Sequence, residues 1–347
     1  NKIPKKSDEA TYKNLTNIIL KIADIMSDYD EFNIISIGNV PLNIYNVGIY
    51  FKDFFNEDSI DYFDLLLKEH QFQILTESNK PTNALRKGIY LTNVTKDNDT
   101  DDLKFNLLRC SSNLDGPTDN FRETDLKIIN KVTESAKEYF EKPFNLNHVL
   151  AQVYTNNMET NKKAKIKKHS DKTKDMDLSG IMAFCTFYNT QELNECCKKS
   201  TTDIYDYVYK NTSVLTSLKF RLKDCVKNEL LTKEFEIKLY PGSVFLMPLS
   251  TNRLYTHEIC PSVLNVEQIP TRMGYVIRCS KTEAIHKNGK TYIINTDNSF
   301  TELIEPSEDE VVRLKDLYYK ENTTADIIEY NGFNFSLNKG DYLAPII

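Results

Sequence analysis

From about residue 147 to residue 280 the chain is written as short apolar runs broken by turns, a texture that restricts it to a layered or closed β fold. The runs are HVLAQVY (148–154), KAKIKKH (163–169), GIMAFCTFY (180–188), FEIKLY (235–240), SVFLMPL (243–249), RLYTHEI (253–259) and RMGYVIRC (272–279). Each reads as a strand, and several strands at close spacing make a barrel or sandwich. Pro241-Gly242 supplies the turn between two of them. The stretch 189–234 interrupts the series and reads as an insertion.

The flanks are different. Leu15, Ile18, Ile19, Ile22, Ile25 and Met26 recur at helical spacing, which predicts a helix over 8–27. Further helices are predicted over 58–70 and over 122–141, the latter halted by Pro143, with β-like runs at 33–37 and 88–92. The tail carries two hairpin signals, Asn288-Gly289 and Asn331-Gly332, and a helical run near 308–320. Three regions are therefore expected: 1–143, mixed α+β; 144–280, the β core; and 281–347, a C-terminal extension.

Hydrophobic residues at 40% and charged residues at 27% suit a soluble globular chain with a sizeable core. A net charge of −6 excludes a molecule that is basic all over, so any polyanion needs a local patch. Seven cysteines, an odd number, have neither disulfide-framework nor zinc-motif spacing. They are expected to be reduced thiols in an intracellular protein, cytoplasmic or nuclear. No run approaches 18 apolar residues, so no membrane span is expected. An Asn in place of an initiating Met suggests that an upstream part was removed.

The chemistry starts at His169-Ser170-Asp171. Residues two apart on extended chain point to the same side, so an imidazole and a carboxylate project together and can take adjacent positions on one metal. Such a pair alone is common in solvated loops. The chain has only five histidines, however, and His257 follows the strand–turn–strand KLYPGSVFLMPL. Two His and one carboxylate on one face of an octahedral ion leave three positions open, the signature of non-haem Fe(II) oxygenases. Arg272 and Arg278 follow on one strand, an even number of residues apart, so both face the same side. Buried guanidinium groups are costly unless anions pair with them, and a dicarboxylate supplies such anions bidentately. Six residues of strand cover roughly 20 Å, so the two must lean together to hold one small diacid. Arg272 is expected to be the main anchor.

The order Q-V-Y (152–154), H-S-D (169–171), H (257) and R-x5-R (272–278) resembles the AlkB-type 2-oxoglutarate/Fe(II) dioxygenases, over residues 144–188 and 235–280. Prolyl-hydroxylase-like enzymes of the same superfamily usually carry a Lys or Arg where this chain has Glu267. The resemblance implies an α+β protein with a double-stranded β-helix (jelly-roll) core and N-terminal helices packed on it. It also implies His169, Asp171 and His257 as ligands of Fe(II), with 2-oxoglutarate and O2 as co-substrates. Arg272, helped by Tyr154, would hold the distal carboxylate of 2-oxoglutarate. Arg278 would hold the carboxylate beside the keto group, and Gln152 stands where the family usually has Asn. Gly274 replaces a polar side chain that often assists the first arginine, and Thr173 an acid that in some members helps choose the base.

For substrate, Lys162, Lys163, Lys165, Lys167, Lys168, Lys172 and Lys174 crowd the HxD motif and would attract the phosphates of DNA or RNA. The family resemblance implies a base brought to the iron, with Tyr90, Tyr188 and Tyr255 as candidate stacking rings and 80–122 as a substrate lid. The same chemistry on a protein side chain or small molecule is the alternative. A non-catalytic module is disfavoured by the complete ligand set.

Overall fold

The alternation and length of the runs produce two antiparallel sheets laid face to face, in a computed structural model that describes residues 18–21, 33–36, 40–55, 59–77, 80–109, 114–198, 200–205 and 213–347. The larger sheet has the strand order Leu42–Ile44, Gly48–Phe51, Val244–Pro248, Ile181–Tyr188, Arg272–Arg278, His148–Tyr154, Lys80–Thr92, Gln73–Glu77. The short Asp119–Asn120 strand pairs in parallel with Lys80–Thr92. The smaller sheet runs Ile166–His169, Tyr255–Cys260, Ser217–Leu222, Glu234–Lys238. Within it His169 and His257 are direct cross-strand partners.

Period-two patterning places one apolar set between the sheets. Met182, Phe184, Phe245 and Met247 of the larger sheet meet Leu218, Phe220, Phe235, Ile237 and Tyr255 of the smaller one. Phe220 and Phe235 stack with ring centroids 4.8 Å apart. Along Ile181–Tyr188 every residue is buried, which requires cover on the second face as well. Helices Tyr62–Glu69 and Glu123–Ala136 provide it. Phe63, Leu66, Ile128, Ile129 and Val132 pack on Val149, Ala151, Ala183, Cys185, Met273 and Ile277. The expected packing of N-terminal helices on the outside of the β core is what the structure has, and the fold is α+β with a sandwich core. No helix among the described residues is long and apolar enough to cross a membrane.

Several expectations change. Ile18–Lys21 is a strand paired in parallel with Asn33–Ser36 and not part of a helix; the rest of 8–27 lies largely outside the described residues. Ser217–Leu222, inside the supposed insertion, is a central strand of the smaller sheet. Residues 86–92 of the expected lid belong to the Lys80–Thr92 strand, hydrogen-bonded to His148–Tyr154. A further sheet joins the extension to the front of the chain, since Thr282–Lys287 pairs with Leu103–Leu107. The Asn288-Gly289 hairpin forms, with φ of 51° and 74° as its turn type requires. Asn331-Gly332 makes a turn that no strands flank.

Behind the larger sheet sits a buried ionic cluster. His70 hydrogen-bonds Asp119 through Nδ1 and Asp125 through Nε2, both at 2.8 Å. Tyr275, from the outer face of the Arg272–Arg278 strand, donates to Asp125 at 2.7 Å. Burial by itself would lower the imidazole pKa, but the two carboxylates reverse that and raise it to about 9. The folded-state value lies above the unfolded one. The pair therefore contributes its full stability below pH ~6.5 and loses it as pH rises through about 9, a swing on the order of 3 kcal/mol. Urea midpoints are expected to fall between pH 7 and 10 in the parent chain. His70→Ala, which removes the cation shared by two buried carboxylates at a cost of about 3–5 kcal/mol, should be less stable at pH 7 and flatter with pH. A parent midpoint that does not fall over that range would contradict the assignment.

Candidate metal centre

The strand Ile166–His169 ends at the first ligand candidate, and the chain then leaves the sheet. His169 Nδ1 bonds the Lys167 carbonyl at 2.8 Å. A carbonyl can only accept, so Nδ1 carries the proton and the Nε2 lone pair is left for a metal. Asp171 follows on the loop and His257 on the neighbouring strand. Asp171 Oδ1 lies 3.5 Å from His169 Nε2 and 3.7 Å from His257 Nε2. One ligand atom from each residue falls within 4.8 Å of the other two, so these three residues can hold a metal ion.

The second oxygen of Asp171 is occupied. Arg278 reaches it with Nε at 3.0 Å and Nη2 at 2.6 Å. Burial would raise the carboxyl pKa, but Arg278, with the two histidines, holds it well below the usual carboxylate range. Asp171 is therefore ionised and turned so that Oδ1 faces the histidines. Burial, then neighbouring His169, pushes His257 down to about 3, which leaves it neutral with a lone pair to offer a metal. The His169 side chain is 33% exposed and that of His257 is 4% exposed, so the centre opens to solvent on the His169 side.

Arg272 and Arg278 both point between the sheets, at opposite ends of their strand, and both are buried. The Arg272 guanidinium lies over the Tyr154 ring, 4.0 Å from its centroid. Its Nε and Nη2 have no hydrogen-bond partner. A Cβ at position 274 would come within 3.0 Å of Arg272 Nη1, so Gly274 is the space into which the arginine leans back along the strand. Tyr154 donates to Gln152 Oε1 at 2.9 Å, so these two polar groups stand together beside Arg272.

Other expected roles are corrected. Tyr90, Tyr188 and Tyr255 are core residues: Tyr90 packs edge-on to His148, Tyr188 donates to Leu239 O, and Tyr255 donates to Thr232 O. None offers a free face to a base. The lysine cluster also divides. Lys174 is buried and bonds Phe335 O, Lys172 lies over the Tyr318 ring, and Lys163 bonds Ser262 O. Lys162, Lys165, Lys167 and Lys168 remain exposed.

His148 was not expected from sequence; it is buried and directly opposite Arg278, with a pKa pushed to about 3 by burial and then by that arginine. An inward position on a strand beside an inward arginine was its one available signal. A second group of possible ligands, Glu69, His70 and Asp125, has both imidazole nitrogens already hydrogen-bonded and is the ionic cluster described above.

No protein-family model matches the chain. No curated protein matches it either. Among solved structures it is similar to one titled "The structure of OsALKBH1", with 11% identity over 69% of this chain and 100% of that one and a TM-score of 0.39. At that score the likeness adds nothing to what strand order and side chains establish by themselves.

The geometry separates two variants that are alike in metal binding. Asp171→Ala and His169→Ala should each weaken Ni(II) or Co(II) binding by at least tenfold. In the metal-free chain, Asp171→Ala also removes the carboxylate that Arg278 pairs with, a loss of about 3–5 kcal/mol, whereas His169→Ala breaks no ion pair with Arg278. Equal melting temperatures for the two metal-free variants would contradict this placement.

Proposed function

We propose that the chain is an Fe(II)- and 2-oxoglutarate-dependent dioxygenase of AlkB-like type, with His169, Asp171 and His257 as the iron ligands. The observation that carries the proposal is the pairing of that donor set with an unpartnered buried guanidinium on the same internal surface. Two imidazoles and one ionised carboxylate suit Fe(II), and an anion would satisfy the open donors of Arg272. The strand order supports a double-stranded β-helix. Numbered through the core, one sheet reads first, eighth, third, sixth (His148–Tyr154, Arg272–Arg278, Ile181–Tyr188, Val244–Pro248). The other reads second, seventh, fourth, fifth.

In this proposal Arg272 binds the distal carboxylate of 2-oxoglutarate, with Tyr154 and Gln152 beside it. Arg278 holds Asp171 in place and lends positive charge to the carboxylate next to the keto group. Iron(II) bound here supplies oxidative decarboxylation of 2-oxoglutarate by O2, yielding succinate and CO2, coupled to oxidation of a substrate C–H bond. The sandwich core behind His257, built by Phe184 and Phe220 with ring centroids 5.6 and 5.7 Å from the imidazole, excludes water from that side. Substrate enters from the side of His169.

The favoured substrate is a nucleic-acid base, oxidised by demethylation or hydroxylation. Exposed Lys162, Lys165, Lys167 and Lys168 lie on the strand and loop leading to His169, where they can meet phosphates of DNA or RNA. A protein side chain or small molecule is the second reading, favoured by the burial of all three candidate stacking tyrosines. Succinate release with methylated DNA, methylated RNA, thymine-containing DNA and peptide pools separates the two. Stimulation by peptides or metabolites alone would remove the nucleic-acid half.

Co-substrate titrations test the anchor. Removing one partner of a desolvated charge pair costs about 2–5 kcal/mol, so Arg272→Ala is expected to raise the apparent KM for 2-oxoglutarate by roughly 30-fold or more. Arg278→Lys keeps the charge and should raise it far less. Small and equal effects would place the diacid elsewhere.

A further inference from the structure

We infer that the C-terminal extension is part of the metal centre, acting as a clamp that positions the loop bearing Asp171; this rests on the metal reading above. Beyond His169 the chain leaves its sheet, so the backbone donors of the loop need other partners. Ser170 N donates to Asn322 Oδ1 at 2.7 Å, Asp171 N to Asn252 Oδ1 at 2.8 Å, and Thr173 N to Glu321 Oε1 at 3.1 Å. Asn252 returns a bond from Nδ2 to Asp171 O at 3.0 Å. Two of these three acceptors belong to the Glu308–Thr323 helix.

The side chains of the loop are caught by the same extension. The Thr173 hydroxyl donates to Glu321 Oε1, and Glu321 Oε2 accepts from Tyr330 at 2.6 Å. Lys172 reaches Tyr318 O, Lys174 reaches Phe335 O, and Asp175 is paired with Arg109, whose Nη1 donates to Phe333 O at 3.0 Å. Ser170, Glu321 and Asn252 are buried and Asn322 is half-buried, so competing water is excluded from the Asp171–Asn252 bonds and restricted at the other two.

The helix is anchored independently of the loop. A capping box at Ser307 and Glu310 starts it, Leu314 packs with Phe333 and Phe335, and Lys223 holds its last turn through Glu321 O and Thr324 O. A loop fixed at Ser170, Asp171 and Thr173 has little freedom to turn Oδ1 away from the histidines. Asn322 and Glu321 are thus positioning residues for the metal, contributed by a segment that carries no ligand.

The experiment titrates Co(II) into the full chain and follows its ligand-field absorbance together with the heat of binding. Asn322→Ala should weaken binding by about tenfold to a hundredfold, the usual effect of losing a group that orients a ligand, and should shift the ligand-field bands. Asn322→Asp keeps an oxygen for Ser170 N–H and should recover much of the affinity. Tyr330→Phe, which frees one oxygen of Glu321 at a distance from the metal, should weaken binding less and serves as the second variant if Asn322→Ala fails to fold. Lys320→Ala, exposed on the same helix, should change neither signal. Parent-like affinity and spectra in both Asn322→Ala and Tyr330→Phe would overturn the clamp and leave the metal centre standing. No Co(II) uptake by the parent chain would instead overturn the metal centre, and the clamp with it.

Discussion

The ion pair between Arg278 and Asp171 is the contact on which the rest of the site depends. It joins the larger sheet to the loop that leaves the smaller one, and it is buried on both sides. By taking Oδ2 it decides that Oδ1 faces His169 and His257. It also keeps the carboxyl ionised where burial alone would favour the neutral acid. A metal ligand needs both properties, orientation and charge, and one guanidinium supplies them.

The strand that carries Arg278 works on two faces. Inward it presents Arg272 and Arg278, with Gly274 between them to admit the leaning Arg272 side chain. Outward it presents Met273, Tyr275 and Ile277 to the helical layer, where Tyr275 is tied to Asp125 and so to His70. The outer cluster is an ordinary solution to burying charge: a cation between two carboxylates, each with further donors. The inner surface is unbalanced, because Arg272 has donors without acceptors.

Much of this was legible in the sequence, for definite reasons. The even offset of Arg272 and Arg278 is a consequence of strand geometry, which residue order records directly, whereas Asp171 lies on the loop just beyond the strand that ends at His169. The strand at Ser217–Leu222 was also written in its alternation of Leu218, Phe220 and Leu222 with Lys219 and Arg221, but polar text on either side concealed it. Its charged residues face Glu234 and Glu258 across the sheet. Ile18–Lys21 misled because an apolar spacing that fits a helix also contains a run of consecutive β-formers. The grip of Asn322 and Glu321 on the metal loop had no signature at all. Bonds between side chains and backbone amides some 150 residues away leave no period and no motif. The lysine cluster divided for a related reason, since composition does not tell a solvated lysine from one that caps a carbonyl.

The most direct measurement is an anaerobic titration of the Fe(II)-loaded chain with 2-oxoglutarate, followed by visible absorbance. A keto acid that chelates iron held by His169, Asp171 and His257 produces a metal-to-ligand charge-transfer band. The band should saturate at one equivalent of iron, vanish in His257→Ala, and require much more 2-oxoglutarate in Arg272→Ala. A parent chain that binds Fe(II) yet shows no band at saturating 2-oxoglutarate, or a band unchanged by both substitutions, would contradict the account.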